Sequence, residues 1–391
     1  MLKRIFIGCT STIALLACTD AQVKKANTFI PVGEFPTFEE IERKNFSFKT
    51  KTFKNTAQNS KARIIHSLEN TSFHFYNAAA FENEQKGILV GGTGMRIRST
   101  LNGGKDWKEI RLSRFSNAFH SAAIQNGQAF AVGEGSFIVK SDATLSNWSV
   151  FDLKGLKNLK GDSQTLYKIK FKGQLGFAMG FDTGFGIATP LILKTLDGGA
   201  NWTVIPHSGL ENDLGAINDF DIVSKTLVYM VTQMGNTYKS NDGGNSWDIV
   251  FKPRQAYTNL NSIAFKNDKT GFISGISGLL YFTNDGGENW KQNLIFKDST
   301  SLNISDIQYI NEDIIAITTA QSFLDEEKTV FSYLLDGNGN SEIPQALLTK
   351  NDSTIFFEGD AFHLHLLNKE RLFINDRNNS YSLDVKTLSL K

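Results

Sequence analysis

The sequence predicts an all-β fold, a β-propeller of seven four-stranded antiparallel blades, with six blades as the alternative. The five tryptophans of this 391-residue chain recur every 41 to 54 residues, and each closes a copy of one short motif. A period of that length indicates stacked units that bury their apolar faces against one another. The chain has 31 Phe and only 6 Pro. Short apolar runs also alternate with Gly and Asn, which favours strands.

Each motif copy predicts a tight connection between the third and fourth strands of a blade. The structural positions of the motif copies are Thr100, Asn102 and Trp107; Ser141 and Trp148; Thr195, Asp197 and Trp202; Ser240, Asp242 and Trp247; Thr283, Asp285 and Trp290. Paired glycines allow positive φ angles, the acidic residue accepts hydrogen bonds from turn amides, and the tryptophan anchors the hairpin. The second copy is divergent, because Ala143 replaces the acidic residue and the glycine pair is missing.

The other blades follow from the same strand pattern. In the fifth copy we expect strands over 261–266, 270–275, 279–283 and 290–296. Two weaker units follow the last tryptophan, over 304–343 and 355–383. The segment 63–75 is expected to complete the last blade from the other end of the chain, because such closure removes free sheet edges.

The N-terminus is expected to be an export signal. Lys3 and Arg4 precede an apolar stretch that is too short to span a bilayer. Leu15-Leu16-Ala17-Cys18 resembles the bacterial lipoprotein box, which implies lipidation of Cys18 and a membrane anchor. An ordinary signal peptide with a chance cysteine is the alternative.

Three segments are therefore assigned along the chain. Residues 1–17 are a lipoprotein signal peptide, 18–62 a polar tether with a short helix considered over 38–44, and 63–391 the propeller. The expected location is the cell envelope, at the outer membrane or a periplasm-facing membrane. The net charge of +1 argues against a nucleic-acid partner.

The motif resembles the Asp-box, or BNR repeat. The fuller unit, from Thr270 through Gly275 to Trp290, is similar to that of the photosystem II stability and assembly factor family, within the sialidase superfamily of propellers. This resemblance covers roughly residues 66–391 and implies the propeller fold. It leaves the function open, because Asp-boxes also occur in glycosidases and in sortilin-type receptors.

Catalytic chemistry is not predicted. The segment Arg63-Ile64-Ile65 lacks the proline of the Arg-Ile-Pro signature of sialidases, and no later arginines are spaced like the sialidase triad. His363 and His365 would share one strand face, but no third metal ligand is evident. The run 336–340 is interpreted as a degenerate motif turn and not as a calcium loop. We therefore expect no enzyme activity, no cofactor and no metal.

The face opposite the motif turns is the predicted binding face. In an up-and-down blade the first and third connections share one face, so the second connections and the links between blades share the other. Loop drift on a tolerant surface is the competing interpretation of this variable face. The candidate partner-binding residues are Phe181, Asp182, Phe185, Arg111, Arg114, Arg254 and Tyr257.

The sequence thus predicts a noncatalytic, lipid-anchored envelope protein that acts as a protein-binding or assembly scaffold. The alternative is a carbohydrate-active protein, either a diverged sialidase-like glycosidase or a glycan-binding surface lipoprotein. A retaining glycosidase would need two carboxylates about 5 Å apart at the propeller mouth. A third hypothesis is that the protein is itself a photosynthetic assembly factor.

Overall fold

The fold is given by a computed structural model of the chain. The described residues are 29–31, 42–47, 50–51, 63–69, 76–91, 94–112, 117–184, 186–206, 208–210, 213, 215–253, 258–293, 302–311, 314–321, 331–339, 345–346, 349–350, 353–354, 363–368, 371–375 and 379–384. Cys18 and the signal segment lie outside this set. No described segment forms a helix long and apolar enough to cross a membrane.

The described strands form seven antiparallel sheets of four or five strands, together with the small hairpin Thr349–Lys350 and Ser353–Thr354. We number the sheets as blades, from the inner to the outer strand. Blades 1 to 3 consist of Tyr76–Phe81, Gly87–Gly91, Arg96–Thr100 and Asp106–Arg111; of Phe119–Gln125, Gln128–Gly133, Phe137–Ser141 and Trp148–Asp152; and of Ser163–Lys172, Leu175–Gly184, Ile187–Thr195 and Thr203–Val204.

The remaining four blades follow the same order. Blades 4 to 6 consist of Ile217–Ile222, Val228–Thr232, Thr237–Ser240 and Asp248–Phe251; of Leu260–Phe265, Gly271–Gly275, Leu280–Thr283 and Lys291–Gln292; and of Leu302–Tyr309, Ile314–Gln321, Phe331–Asp336 and Gln345–Ala346. Blade 7 consists of His363–Asn368, Arg371–Asn375, Asn379–Asp384 and Arg63–Glu69. The predicted all-β propeller class is confirmed.

The blades close into a ring around a central channel. Each inner strand contacts the inner strand of the next blade, and that of blade 7 contacts that of blade 1. Blade 7 takes its outer strand, Arg63–Glu69, from the other end of the chain, where it pairs with Asn379–Asp384. This is the closure that the sequence predicts, and it joins the two ends of the ring by backbone hydrogen bonds.

Three pieces of the region 18–62, which we expect to be a polar tether, pair with the outer edges of three blades, and most of the rest of that region lies outside the described residues. Ile30–Pro31 pairs with the outer strand of blade 2, Glu42–Ser47 with that of blade 1, and Thr50–Lys51 with that of blade 7. The strand Glu42–Ser47 also replaces the helix considered over 38–44. Outer strands offer unpaired N–H and C=O groups, and an extended polar segment satisfies them as well as an apolar one.

Phe29 adds a side-chain contact to this edge pairing. Its ring centre lies 5.3 Å from that of Phe151, and Lys140 Nζ lies 4.0 Å from its centre. Burial lowers the pKa of Lys140, although the charge of Asp197 works against that shift. The segment is therefore held to blade 2 by aromatic and cation–π contacts as well as by the ladder.

The motif copies form the third connections of their blades, and we call them the repeat turns. In blade 4, Ser240 Oγ donates to Asp242 Oδ1 at 2.8 Å and accepts from Gly244 N at 2.8 Å, while Ser246 N donates to Asp242 Oδ1 at 2.9 Å. Gly243 and Gly244 have φ angles of 72° and 93°. The copies in blades 1, 3 and 5 repeat these bonds. In these turns the hydroxyl and the acidic or amide residue bond to each other and to turn amides, and in blade 4 both glycines have positive φ angles.

The divergent second copy keeps the turn by moving its acidic residue back one position. Asp142 Oδ1 accepts from Ser146 N at 3.0 Å, Thr144 N at 3.0 Å and Thr144 Oγ1 at 2.8 Å. Slight burial opposes its charge, but these bonds outweigh burial and lower the pKa of Asp142 to about 2. Ala143 is therefore tolerated, because the carboxylate of Asp142 accepts the hydrogen bonds that an acidic residue at position 143 would otherwise accept.

The repeat turns of blades 3, 4 and 5 pack on the preceding blade. A Cβ on Gly199 of blade 3 would lie 2.6 Å from the ring of Phe130 in blade 2. Lys194 of blade 3 donates its Nζ to Gly243 O of blade 4 at 2.7 Å. Trp247 is buried, and its Nε1 donates to the carbonyl within its own turn at 3.0 Å. In these three blades the turns therefore hold adjacent blades together, and Trp247 is buried instead of forming an exposed aromatic platform.

Candidate functional site

The link face is our name for the side of the disc that carries the second connections and the interblade links. Most inner strands contain a β-bulge close to this face. Six of the seven described inner strands have a β-bulge at the same repeat position. The extra residues, which we call the bulge belt, are Asn77, His120, Tyr167, Asn218, Asn261 and Ser305. A bulge re-aims a side chain, so these residues surround the channel mouth at the link face.

Three belt residues are asparagines that tie neighbouring blades together. Each donates its Nδ2 to the carbonyl that directly precedes the belt position of the next blade. The donor and acceptor pairs are Asn77 and Phe119 at 2.7 Å, Asn218 and Leu260 at 2.7 Å, and Asn261 and Ile304 at 2.9 Å. The repeating role of the belt is therefore structural.

His120 and Tyr167 replace the asparagine in blades 2 and 3, and Ser305 replaces it in blade 6. Only in blades 2 and 3 is the replacement aromatic. The rings of His120 and Tyr167 meet edge to face at 5.2 Å, and Tyr167 lies 5.6 Å from Phe181. His120 Nε2 lies 3.7 Å from Glu134 Oε1, and both side chains are partly exposed. Burial raises the pKa of Tyr167, and the charge of Glu134 adds to the rise. We call His120, Tyr167 and Phe181 the aromatic cluster.

The surroundings of the aromatic cluster are apolar and basic. Ile187, at the start of the third strand of blade 3, and Met234, in the second connection of blade 4, are among the exposed large apolar side chains. Lys157 and Lys160, in the link between blades 2 and 3, are exposed. Exposed apolar groups with charge at their rim are typical of a surface that contacts another macromolecule.

The structure separates the predicted partner-binding residues. Phe181 belongs to the aromatic cluster, and half-buried Arg111 ends the outer strand of blade 1. Phe185, Arg114, Arg254 and Tyr257 lie outside the described residues.

The sequence predicts that Asp182 is exposed on the binding face, but the structure buries it. It is only 3% exposed and accepts hydrogen bonds from Lys160 N at 2.6 Å, Gly161 N at 2.9 Å and Gln164 Nε2 at 2.8 Å. Its carboxylate is committed to the fold, because leaving these buried donors unpaired would be costly. The structure therefore assigns Asp182 to the support of the link before blade 3.

The central channel holds a cavity of 480 Å³ lined by the inner strands. Lys170 reaches into it and donates from Nζ to Asp219 Oδ1 at 2.7 Å and to Phe220 O at 2.6 Å. Burial opposes its charge, but Asp219 and Asp221 outweigh burial and raise the pKa of Lys170. Lys170 therefore remains an ammonium ion that bridges blades 3 and 4.

The other titratable groups of the channel also join one inner strand to the next. The acceptor and donor pairs are Asp219 Oδ2 and Ile263 N at 3.2 Å, Asp221 Oδ2 and Phe265 N at 2.7 Å, Asp306 Oδ2 and Leu364 N at 3.1 Å, and His365 Nε2 and Phe81 N at 3.2 Å. Burial raises the pKa of Asp221 and lowers that of His365 to about 4. His365 is therefore neutral at pH 7, which suits its role as an acceptor.

The positions of the arginines give the sialidase-like form of the glycosidase alternative no support. No arginine lines the cavity among the described residues. Arg96 and Arg98 instead bind Glu109, each at 2.6 Å, within blade 1. Within the same described part of the chain, no three His, Cys, Asp or Glu side chains group closely enough to hold a metal ion.

Sequence comparison identifies one relevant relative. The chain is 28% identical over 215 residues to the photosystem II assembly lipoprotein Ycf48 of Synechococcus sp. (strain CC9902). The match covers 52% of this chain and spans 59% of the length of that relative. No protein-family model matches the chain.

Solved structures give the same result for the fold. A structure of Ycf48 bound to a D1 peptide matches with a TM-score of 0.60 at 17% identity, covering 86% of this chain and 98% of that one. Ycf48 from Cyanidioschyzon merolae matches with a TM-score of 0.58 at 14% identity, covering 88% and 100%. This chain is similar to Ycf48 in sequence and in fold. The predicted resemblance to photosystem II assembly factor-like propellers is confirmed.

The fold itself is shared more widely than this resemblance. The WD40 repeats of RRP9 match with a TM-score of 0.60 at only 10% identity, covering 86% of this chain and 99% of that one. A propeller is therefore compatible with many functions.

The aromatic cluster contains two residues that the sequence analysis did not select. Each of these inner strands contains a first large apolar residue, which two variable residues and then a second apolar residue follow. His120 and Tyr167 are the first of the two variable residues in their strands. Alignment of the inner strands on this order places both residues opposite Asn77, Asn218 and Asn261. That departure from the repeat is the signal that could have identified them.

Proposed function

We propose that this protein is a noncatalytic lipoprotein of the bacterial cell envelope that holds a partner protein on its link face. The observation that carries the proposal is the replacement of the structural asparagine by His120 and Tyr167 in two adjacent blades. A repeat protein keeps a residue wherever the repeated contact needs it, so two neighbouring departures that expose aromatic groups indicate a separate role. Similarity to an assembly lipoprotein, Ycf48, supports a scaffold role.

The chemistry of the surface favours a protein segment as the ligand. Tyr167 and Phe181 offer ring faces, while Ile187 and Met234 extend the apolar area across blades 3 and 4. Such aromatic anchors dominate the binding energy of protein interfaces. The solved Ycf48 structure was determined with a bound D1 peptide, which is a property of that protein and supports peptide binding here only as a precedent.

Site-specific photocrosslinking tests the binding face. A photoreactive amino acid is placed at Phe181 in the full-length protein, in cells of the source organism, and crosslinks are compared with those from a control at Leu196. Leu196 is an exposed apolar residue on the opposite side of the disc. We expect a discrete adduct from position 181 that is lost when Tyr167→Ala is added, and none from position 196.

Two outcomes contradict the proposed face. One is an equal crosslinking pattern from both positions, and the other is an adduct at position 181 that the Tyr167→Ala change leaves intact. Circular dichroism of the variants checks that the blades stay folded.

The proposed anchor has a separate test. Lipidation at Cys18 predicts incorporation of a labelled fatty acid that Cys18→Ser abolishes, together with release of the protein from the membrane fraction. Unchanged labelling in the variant would show that the anchor lies elsewhere.

A further inference from the structure

The link between blades 2 and 3 has a three-residue repeat of its own. Residues 153–161 read Leu-Lys-Gly, Leu-Lys-Asn and Leu-Lys-Gly in succession. Leu153 is buried in the core cluster that blades 2 and 3 share, and Leu156 and Leu159 pack against that cluster. The lysines that follow these leucines are all exposed on the link face. We call them the lysine ridge: Lys154, Lys157 and Lys160.

Hydrogen bonds hold the backbone beneath the lysine ridge at both ends. At its start, Leu153 N donates to Ser136 O at 2.9 Å, and Leu156 N donates to Leu153 O at 2.8 Å. At its end, Lys160 N donates to the carboxylate of Asp182 at 2.6 Å. The lysines therefore project from a fixed backbone, which reduces the entropy lost when a ligand binds them.

The charges of the lysine ridge are not neutralised within the described part of the chain. No carboxylate or carbonyl there pairs with any of the three ammonium groups, whereas Lys170 and Lys194 each donate to an acceptor in the next blade. No acidic residue interrupts 153–161, and Asp152 and Asp162 flank this stretch at its ends. The ridge is therefore a local positive charge on a protein with a net charge of only +1.

The lysine ridge ends close to the aromatic cluster. Asp182, which binds the backbone of Lys160, directly follows Phe181 in the second strand of blade 3. Phe181 lies 5.6 Å from Tyr167. A segment that lies across both features contacts positive charges and aromatic rings together. Protein interfaces combine such groups, because aromatic anchors supply affinity and charges at the rim steer the partner.

We propose that the partner segment held at the aromatic cluster is acidic and that the lysine ridge binds its carboxylates. This inference rests on the proposed partner-binding role of the link face and adds the chemistry of the ligand. One acidic protein segment supplies both the carboxylates and the apolar side chain that the two features require. An anionic lipid surface fits less well, because recognition of lipid headgroups uses clusters of about four to eight basic residues, and the ridge has three.

Photocrosslinking from Phe181 in the full-length protein, in cells of the source organism, tests the charge of the ligand. We expect mass spectrometry of the adduct to identify a partner segment in which Asp and Glu outnumber Lys and Arg. Reversal of the ridge, with Lys154→Glu, Lys157→Glu and Lys160→Glu together, should lower the yield of this adduct about tenfold, because three exposed attractive contacts become repulsive.

A matched triple reversal on the opposite side of the disc controls for net charge. Lys105→Glu, Lys225→Glu and Lys269→Glu together change three exposed lysines and should leave the adduct yield unchanged. Because all six substituted positions are exposed, equal thermal midpoints of the variants show that folding is intact.

Three results would overturn the inference and leave the proposed binding face standing. They are an adduct whose partner segment is neutral or basic, an adduct that survives reversal of the ridge, and an equal loss of the adduct in the control. A photoreactive residue at Lys157 that labels lipid instead of the partner would also overturn it, by assigning the ridge to the membrane. The absence of any discrete adduct from position 181 would instead contradict the proposed function, and the inference with it.

Discussion

Truncation of Glu109 to alanine is expected to lower the free energy of unfolding by about 3–5 kcal/mol. Glu109 is 6% exposed, and its two oxygens accept from Arg96 Nη1 at 2.6 Å, Arg98 Nε at 2.6 Å and Tyr76 OH at 2.9 Å. The guanidinium of Arg98 is itself 5% exposed and stacks on Tyr76, with 4.7 Å from its Cζ to the ring centre.

The size of the effect follows from what the substitution leaves behind. Without the carboxylate, buried Arg98 loses the counter-charge that Glu109 supplies, and the uncompensated desolvation cost of its guanidinium dominates the loss. Replacing both charges, with Arg98→Met and Glu109→Leu, removes that cost and should recover most of the lost stability. The surface pair of Glu82 and Lys86, at 3.0 Å with Glu82 37% exposed, is the control, and Glu82→Gln should cost about 1 kcal/mol or less.

Urea denaturation of the four proteins measures these differences, with unchanged m-values as the sign that the folded state is preserved. A loss below about 1 kcal/mol for Glu109→Ala, or a double variant as unstable as the single, would refute the reasoning.

The pH dependence gives a second readout of Glu109. Burial opposes the charge of Glu109, but Arg98 outweighs burial and lowers its pKa below the ordinary value of 4.5. The contribution of Glu109 to the free energy of unfolding is therefore present above pH 4.5, and it is lost as the pH falls through the lower pKa of the folded state. Glu109→Ala should lack this part of the acid dependence.

Three further predictions concern the interblade contacts and the N-terminal segment. Gly199→Ala should cost about 2–4 kcal/mol by urea denaturation, because it combines positive φ with a ring clash, while Gly173→Ala, which has open space, should cost about 1 kcal/mol. The folded-state pKa of His365 is about 4, so as the pH falls its imidazole is protonated in the unfolded chain before it is protonated in the folded protein. The free energy of unfolding should therefore decrease as the pH drops below about 6.5. The same pH dependence of this free energy in His365→Gln would contradict the prediction. Phe29→Ala removes the contact with Lys140 and should speed limited proteolysis of the N-terminal segment, whereas Glu288→Lys should not.

Local chemistry explains why the repeat turns could be predicted in such detail. A hydroxyl, a carboxylate and two glycines satisfy one another within eight residues, so their bonds do not depend on the rest of the fold. The divergent copy shows the limit of this reasoning, because Asp142 takes over the role only through its placement in the folded turn. The closing strand Arg63–Glu69 was also predictable, since an incomplete last unit needs a partner from the other end of the chain.

The proposed binding surface depends in part on contacts between blades, which leave little trace in a single copy of the repeat. Tyr167 and Phe181 lie on adjacent strands of blade 3, whereas the contact of His120 with Tyr167 joins blade 2 to blade 3. In the sequence, Asp182 has the pattern of an exposed acidic residue beside an aromatic one. In the structure, the backbone N–H groups of Lys160 and Gly161 in the preceding link donate to its buried carboxylate.

The sequence by itself determined the repeat period, the turn chemistry and the all-β class, because these rest on bonds and patterns within a few residues. Only the tertiary structure decided which edges are covered. Backbone groups of the outer strand of blade 1 pair along Glu42–Ser47, and backbone hydrogen bonding carries no signature in the side chains of the segment that provides it.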